Sequence, residues 1–406
     1  MTTDPLAPAR IAAARQSGSG HGRRTAAQAA RLALLRVAGR RYARPRQQGQ
    51  PRSILLIRPD HLGDVLLLTP ALHALRAALP HARLTALVGP WSAAVLRGNE
   101  DIDAVETCAF PGFERRPKAN LLAPYRLLAE AANGLRGRFD TAVVLRYDHW
   151  WGAWLAAAAG IERRCGYAWP ETKPFLTEAL PYRAGEHEVR QNAALLAALA
   201  PDVPSGLGRL RFEVTEDDRA WALEATAGLP RPRVAIHAGA GAEVKQWPAR
   251  HWATVAARLS DAHGAAILLT GGPGEQALAA DIAAALPGAA RNLAGQTSLG
   301  QLAATYEQCD LVLGSDSGPL HLAVAARART IHLFGPASAA KFGPWGDAGR
   351  NIVLTSPYAC APCDVLDWPP AALHHHGCMA AIDPDTVTDA ALRLLHEAGR
   401  DQRSSS

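Results

Sequence analysis

Asp64 closes the segment Pro59-Asp60-His61-Leu62-Gly63-Asp64, a tight crossover between an apolar run, Ser53 to Ile57, and a stretch of helical spacing from Leu66 to Leu79. A carboxylate above the carboxyl end of a first strand is placed for catalysis, and Gly63 lets the backbone come close to a ligand. Asp near a helix start is also a favoured capping residue, so on this stretch alone both readings stand.

The second half holds three stretches suited to phosphate and sugar chemistry. His237-Ala238-Gly239-Ala240-Gly241 follows a strand and precedes Lys245-Gln246-Trp247-Pro248. Small residues at a strand end expose backbone N–H groups, and Lys245, one of only four lysines, adds the charge a phosphate needs. The spacing is neither a P-loop, which requires Ser or Thr after the Lys, nor a full dinucleotide fingerprint, because the third glycine is missing. A solvated lysine at a helix start is the plain alternative. Glu275, in Thr270-Gly271-Gly272-Pro273-Gly274-Glu275, stands where strand-end acids accept from ribose hydroxyls, or is a first-turn helix acid. In Gly314-Ser315-Asp316-Ser317-Gly318-Pro319-Leu320-His321, Asp316 ends a strand and Gly318 opens a helix whose N–H groups face an anion, with His321 one turn in. Capping by Asp316 or Ser317, with His321 half-buried, is the structural alternative.

These residues need strand ends and helix starts to hold them, and the chain supplies both by alternation. Strands are expected at Ser53–Ile57, Arg83–Val88, Ala104–Phe110 and Thr141–Leu145, with a helix at Leu121–Leu135. Segment 162–192, containing Arg163 and Arg164, reads as irregular and basic, either an acceptor-facing loop region or a surface connection. A linker composition at residues 200–210 divides the chain. Beyond it come strands at Arg233–His237, Ala265–Thr270, Leu311–Gly314 and Thr330–Phe334, with helices at Pro248–His263, Glu275–Leu286, Leu299–Gln308 and Gly318–Ala326. Such alternation implies parallel βαβ units in two α/β halves facing across a cleft. The expected organisation is a basic, partly disordered extension over 1–52, one domain over 53–205, a second over 206–383, and a C-terminal helix and tail over 384–406.

At 406 residues, 48% hydrophobic and 20% charged, the composition is that of a globular chain of two domains. No apolar run reaches the ~18 residues of a spanning helix, and the N-terminus lacks the apolar core of a signal peptide, so a cytoplasmic location is expected. The net charge of +6 is unevenly spread: residues 1–52 carry eleven Arg, no Lys and one acid, and the rest of the chain is mildly acidic. Such an arm can be a solvated extension, can meet anionic lipid through a weakly amphipathic helix holding Leu32, Leu34, Leu35 and Val37, or can bind nucleic acid.

The set Leu62-Gly63-Asp64-Val65, Lys245-Gln246-Trp247-Pro248, Asp316-Ser317-Gly318-Pro319-Leu320-His321 and Phe334-Gly335-Pro336 resembles the family-nine glycosyltransferases, the lipopolysaccharide heptosyltransferases, over roughly residues 53–398. The resemblance implies the GT-B fold of two Rossmann-like domains, an ADP-heptose-like nucleotide-sugar donor on the C-terminal domain, and a saccharide or glycolipid acceptor on the N-terminal one. It implies inversion with no catalytic metal and no cofactor. The basic arm makes peripheral contact with anionic lipid at the inner face of the cytoplasmic membrane one expectation, and no nucleic acid is expected. Carried over by residue, Asp64 is the base, Lys245 holds the diphosphate, Glu275 the ribose, and Asp316, Ser317, Gly318 and His321 the donor sugar and phosphates. Gly239 belongs to the donor loop, while Gly63, Arg163 and Arg164 fall on the acceptor side. Gly239-Ala240-Gly241 stands where members often carry hydroxyl side chains. A sugar-nucleotide epimerase or hydrolase of the same plan, and a non-catalytic nucleotide-sugar-binding module, are the alternatives.

Cys360 and Cys363, with Cys378 and His376 of the His374-His375-His376 run, offer a structural Cys₃His zinc set, a reduced ordered loop or a redox pair.

Overall fold

The structure, a computed structural model, describes residues 26–42, 49–113, 122–200, 206–286, 288, 290–368, 372–373 and 376–404. The chain divides into two compact units between Arg209 and Leu210.

The first unit holds β1 (Ser53–Arg58), β2 (Arg83–Val88), β3 (Ala104–Thr107), β4 (Thr141–Val144), β5 (Arg163–Tyr167) and β6 (Glu178–Leu180). They form one sheet in the order β3-β2-β1-β4-β5-β6, with every neighbouring pair parallel. The helices are α1 (Ala26–Gly39), α2 (Leu62–Leu66), α3 (Thr69–Ala78), α4 (Ala123–Leu135), α5 (Trp150–Ala158) and α6 (Glu188–Ala197). Ile54, Leu55, Leu56 and Ile57 of β1 are all fully buried. A strand covered on both faces reads as a continuous apolar run rather than an alternating one, which is why β1 is so plain in the sequence.

The second unit repeats the plan. Its strands are β7 (Arg233–His237), β8 (Ala266–Thr270), β9 (Arg291–Asn292), β10 (Leu311–Ser315), β11 (Thr330–Phe334) and β12 (Asn351–Thr355), in the order β12-β11-β10-β7-β8-β9. Its helices are α7 (Glu216–Ala225), α8 (Ala249–His263), α9 (Gln276–Ala284), α10 (Leu299–Glu307), α11 (Gly318–Ala325), α12 (Ala339–Phe342) and α13 (Pro384–Ser404). Counted within each unit, both sheets have the doubly wound order third, second, first, fourth, fifth, sixth. The order reverses between first and fourth strands, so a crevice opens at their carboxyl ends in each unit.

Four sequence expectations change. The helix read from Leu66 to Leu79 is two helices, because Pro70 in the first turn of α3 has no N–H to continue α2. Segment 162–192 is not irregular: it contains β5, β6 and α6. Of the N-terminal extension, residues 26–39 are a helix that buries Leu32 and Leu35, whereas 1–25 and 43–48 lie outside the described residues. Finally, α13 is part of the second unit's core. Val387, Ala390, Ala391 and Leu394 pack there with Trp247 and Trp252, whose rings meet edge-on at 4.6 Å. Leu394→Ala should therefore cost about 2–4 kcal/mol in urea unfolding, the range for emptying a closed core position, where a detached tail would show no change.

Candidate active site

In the first unit, residues after β1 and β4 meet at the switch point around the buried guanidinium of Arg58. Its Nε lies 2.8 Å from Asp60 Oδ2, and its Nη2 lies 2.8 Å from Glu188 Oε1 and 3.5 Å from Asp64 Oδ1. Nη1 donates to Asn192 Oδ1 at 3.1 Å and to the Leu145 carbonyl at 3.3 Å. Asp60 also meets Arg146, which in turn holds Asp148 at 2.6 Å. Two guanidinium groups thus face four carboxylates.

The imbalance sets the protonation states. Burial works against the charge of Asp60, but Arg58 and Arg146 together hold its carboxyl below the usual range. Asp64 goes the other way. Burial and the neighbouring Asp60 and Glu188 charges outweigh Arg58 and Arg146 and push it up to about 7. Its side chain keeps 30% of its surface open, against 3% for Asp60 and 9% for Glu188, so of these three acids it is the accessible one. The N-cap of α2 is His61, with no side-chain capping bond, so Asp64 stands inside the first turn and the capping reading is set aside. Gly63 lies beside it in the same turn. Burial lowers His149 to about 3, leaving it neutral, with its ring edge-on to Phe110 and Phe113.

In the second unit the equivalent switch point lies between β7 and β10, and an ion pair spans it: Lys245 Nζ meets Asp316 Oδ2 at 2.8 Å. Ser317 is the N-cap of α11, makes no capping bond, and its buried Oγ has no hydrogen-bond partner. A buried hydroxyl without a partner, at a helix start whose N–H groups have no intrahelical acceptor, beside a lysine, suits an anionic group. Gly318 opens α11, and His321, one turn on, is buried beside His332 at 6.0 Å between rings.

Beside this pair, Glu275 Oε2 accepts from the Gly272 N–H at 2.7 Å and lies 3.5 Å from His237 Nε2. His237 Nδ1 meets Thr270 Oγ1 at 3.2 Å, and that hydroxyl meets Tyr306 Oη at 3.1 Å. Burial lowers His237 despite Glu275, so the ring is neutral and the row of groups fixes the carboxylate by hydrogen bonding. A side chain at Gly239 would fall on that carboxylate. Gly239→Ala should therefore push Glu275 from its seat and raise the donor KM about tenfold with kcat changed less, by steady-state kinetics.

Two groups of expected residues are not in either crevice. Arg163 and Arg164 are buried in β5 with their guanidinium groups committed to their own chain: Arg163 to Glu178 at 2.7 Å and the Ala198 carbonyl, Arg164 to the carbonyls of Phe175, Ile161 and Tyr42. They tie the strands to the turn that follows α1 instead of facing an acceptor. Among the described residues no group of three or more His, Cys, Asp or Glu is arranged to hold a metal ion, so Cys360, Cys363, Cys378 and His376 are not gathered into the zinc set that was one of three readings. Burial, with Cys363 and Cys360 nearby, pushes the Cys378 thiol up to about 11, and the His376 ring packs against Trp368 at 4.0 Å. His374 and His375 lie outside the described residues. The sequence reading missed Arg58, Asp60, Glu188, Arg146, Asp148 and His149. The last three follow β4, and the switch-point rule applied to the fourth strand as well as the first would have found them.

Comparison with known proteins follows the same lines. Residues 129–367 match the model of glycosyltransferase family 9 (heptosyltransferase). Lipooligosaccharide heptosyltransferase 2 of Campylobacter jejuni is 34% identical over 155 residues, an alignment spanning 37% of this chain and 47% of that protein, about half its length. Lipopolysaccharide heptosyltransferase 2 of Escherichia coli K12 is 26% identical over 85% of this chain and 99% of that protein. The solved structure of the E. coli ADP-heptose lipopolysaccharide heptosyltransferase II superposes with a TM-score of 0.67 at 22% identity, over 85% of this chain and 99% of that one, a likeness of fold.

Proposed function

The chain belongs to glycosyltransferase family 9, and on that premise we propose that it moves a heptose from ADP-heptose to a saccharide of the lipopolysaccharide core, with inversion at the anomeric carbon. The observation that carries this reading is Asp64, an accessible carboxylate poised near 7 at a switch point, where a general base for a hydroxyl is most effective. Asp64 takes the proton of the acceptor hydroxyl as its oxygen attacks the anomeric carbon. The bond to the diphosphate breaks with its electron pair, and Lys245, the start of α11 and the Ser317 hydroxyl receive the charge that develops there. Glu275 accepts from the ribose hydroxyls, and Asp316, Gly318 and His321 shape the donor sugar subsite. Gly63 keeps the backbone low beside the acceptor. The choice of donor and acceptor is supported by the E. coli structural neighbour, an ADP-heptose lipopolysaccharide heptosyltransferase, and by the lipopolysaccharide in the names of the relatives.

None of the helices among the described residues is long and apolar enough to cross a membrane. A lipid-linked acceptor would bring the enzyme to the inner face of the cytoplasmic membrane from the cytoplasmic side.

Calorimetric titration with ADP, UDP, GDP and dTDP, followed by transfer assays with ADP-heptose and a defined inner-core saccharide, tests the reading. ADP is expected to bind most tightly and the heptosylated product to form only with both substrates. Preference for another nucleotide would overturn the heptose assignment, and donor turnover without an acceptor would point to the hydrolase or epimerase alternative.

A further inference from the structure

The rim of the first sheet carries a row of rings that the transfer step leaves unused. Tyr147, Trp169 and Tyr182 follow β4, β5 and β6, which lie side by side, so all three stand over the same carboxyl edge as Asp64. Tyr147 stacks on Tyr182 with centroids 4.2 Å apart, and Trp169 meets the two edge-on at 4.8 and 6.1 Å. Their backbones are tied together. The buried Thr172 hydroxyl donates to the Tyr167 carbonyl at 2.9 Å and lies 3.2 and 3.4 Å from those of Trp169 and Tyr147. The Ala168 N–H donates to the Leu180 carbonyl at 2.7 Å. Rings fixed in this way cost little further ordering when a ligand arrives.

Filling the core does not account for them. Phe110, Trp151 and Phe175 occupy the interior of this unit at 1% exposure or less, whereas Tyr147, Trp169 and Tyr182 are each half-buried. Next to them, the Arg146 guanidinium lies 6.0 Å from the Tyr147 ring and holds Asp148, and both charged side chains keep 34% of their surface open. Burial, with the Glu188 and Asp148 charges nearby, pushes the Tyr182 phenol up, so its hydroxyl stays protonated.

An aromatic wall beside a fixed, partly open pair of hydrogen-bonding groups matches a pyranose ring, which has C–H groups side by side on one face and hydroxyls round its edge. Position decides which sugar this is. β5 and β6 lie two and three strand spacings from β1, about 10 and 14 Å at ~4.8 Å each, farther than one sugar reaches from a hydroxyl held at Asp64. We propose that Tyr147, Trp169 and Tyr182 form a subsite for a second, non-reacting pyranose of the acceptor, with Arg146 and Asp148 on its hydroxyls. The protein thereby selects an acceptor of two sugars or more. This rests on the reading of the first unit as the saccharide side of a transferase and adds what that side recognises. Binding energy from the remote ring holds the reacting hydroxyl against Asp64.

The test uses the full chain, ADP-heptose and two acceptors: a defined inner-core saccharide of at least two sugars, and the same compound cut back to the sugar bearing the reacting hydroxyl. Wild-type kcat/KM should be about a hundredfold higher for the longer acceptor. Tyr182→Ala should lower that ratio about tenfold, through acceptor KM more than kcat, while Tyr182→Phe, which keeps the ring, should retain it. Trp169→Ala makes the same test at a second ring if Tyr182→Ala disturbs folding. Saturation-transfer NMR with the longer saccharide and no donor should mark C–H protons of its second sugar in the wild type and lose them in Tyr182→Ala. A wild-type ratio near one, a ratio that neither alanine variant changes, or no saturation of the second sugar would overturn the proposal. If ADP-heptose gives no transfer but the second sugar is still saturated in the wild type alone, the donor assignment fails and the subsite stands.

Discussion

Asp64→Asn should lower kcat about 10³-fold while leaving ADP binding unchanged by calorimetry, because removal of a general base typically costs 10²–10⁴ and Asp64 belongs to the unit that does not carry the proposed nucleotide residues. The wild-type pH profile supplies an independent check. With Asp64 pushed up to about 7, kcat/KM should fall about tenfold for each pH unit below that value and level off above it. Asp60→Asn removes the largest like charge raising Asp64 while Arg58 and Arg146 remain, so the inflection should move to lower pH. A flat profile from pH 5 to 8 would contradict the assignment.

The same shift has a consequence for stability. The folded-state value lies above the ~3.9 of an unfolded Asp, so the folded protein binds the extra proton between those values. That contribution is complete below about pH 4 and is lost as pH rises through about 7. Asp64→Asn, which never ionises, should therefore melt at least about 2 °C higher than wild type at pH 8, with the gap closing toward pH 4. A site residue whose loss abolishes turnover and raises Tm is one held in place against the preference of the fold.

Lys245→Ala should weaken ADP binding about a hundredfold and also destabilise the second unit by about 3 kcal/mol. The two effects have different origins. Lys245 and Asp316 are only 12% and 10% exposed and pair at 2.8 Å, so removing the ammonium leaves a largely buried carboxylate without its counter-charge. Lys245→Met/Asp316→Asn removes both charges and should recover most of the stability in urea melts, while nucleotide binding stays lost. If the double variant regains affinity for ADP, the lysine serves the fold and not the diphosphate.

Much of this architecture is legible in the residues alone. Strands β1, β7 and β11 begin and end within a residue of their expected bounds, because a strand buried on both faces is mostly apolar. Helices α8 and α11 likewise start where Pro248 and Gly318 lead the sequence to expect. β5 is not legible. Its sequence, Arg163-Arg164-Cys165-Gly166-Tyr167, is that of a surface loop, and it is buried because carbonyls more than ten residues away in sequence and the Glu178 carboxylate accept from its guanidinium groups.

The sequence by itself carried the family resemblance in its motifs, and it determined the two α/β units and the residues that follow three strands, Asp64, Lys245 and Asp316, because these follow from local periodicity and the turn that breaks it. Only the tertiary structure decided what those residues are chemically. Arg58 meets Glu188 across 130 positions and Asn192 across 134, and Lys245 meets Asp316 across 71. The ionisation of Asp64 depends on that distant gathering of charge and on its partial burial, which no local pattern encodes.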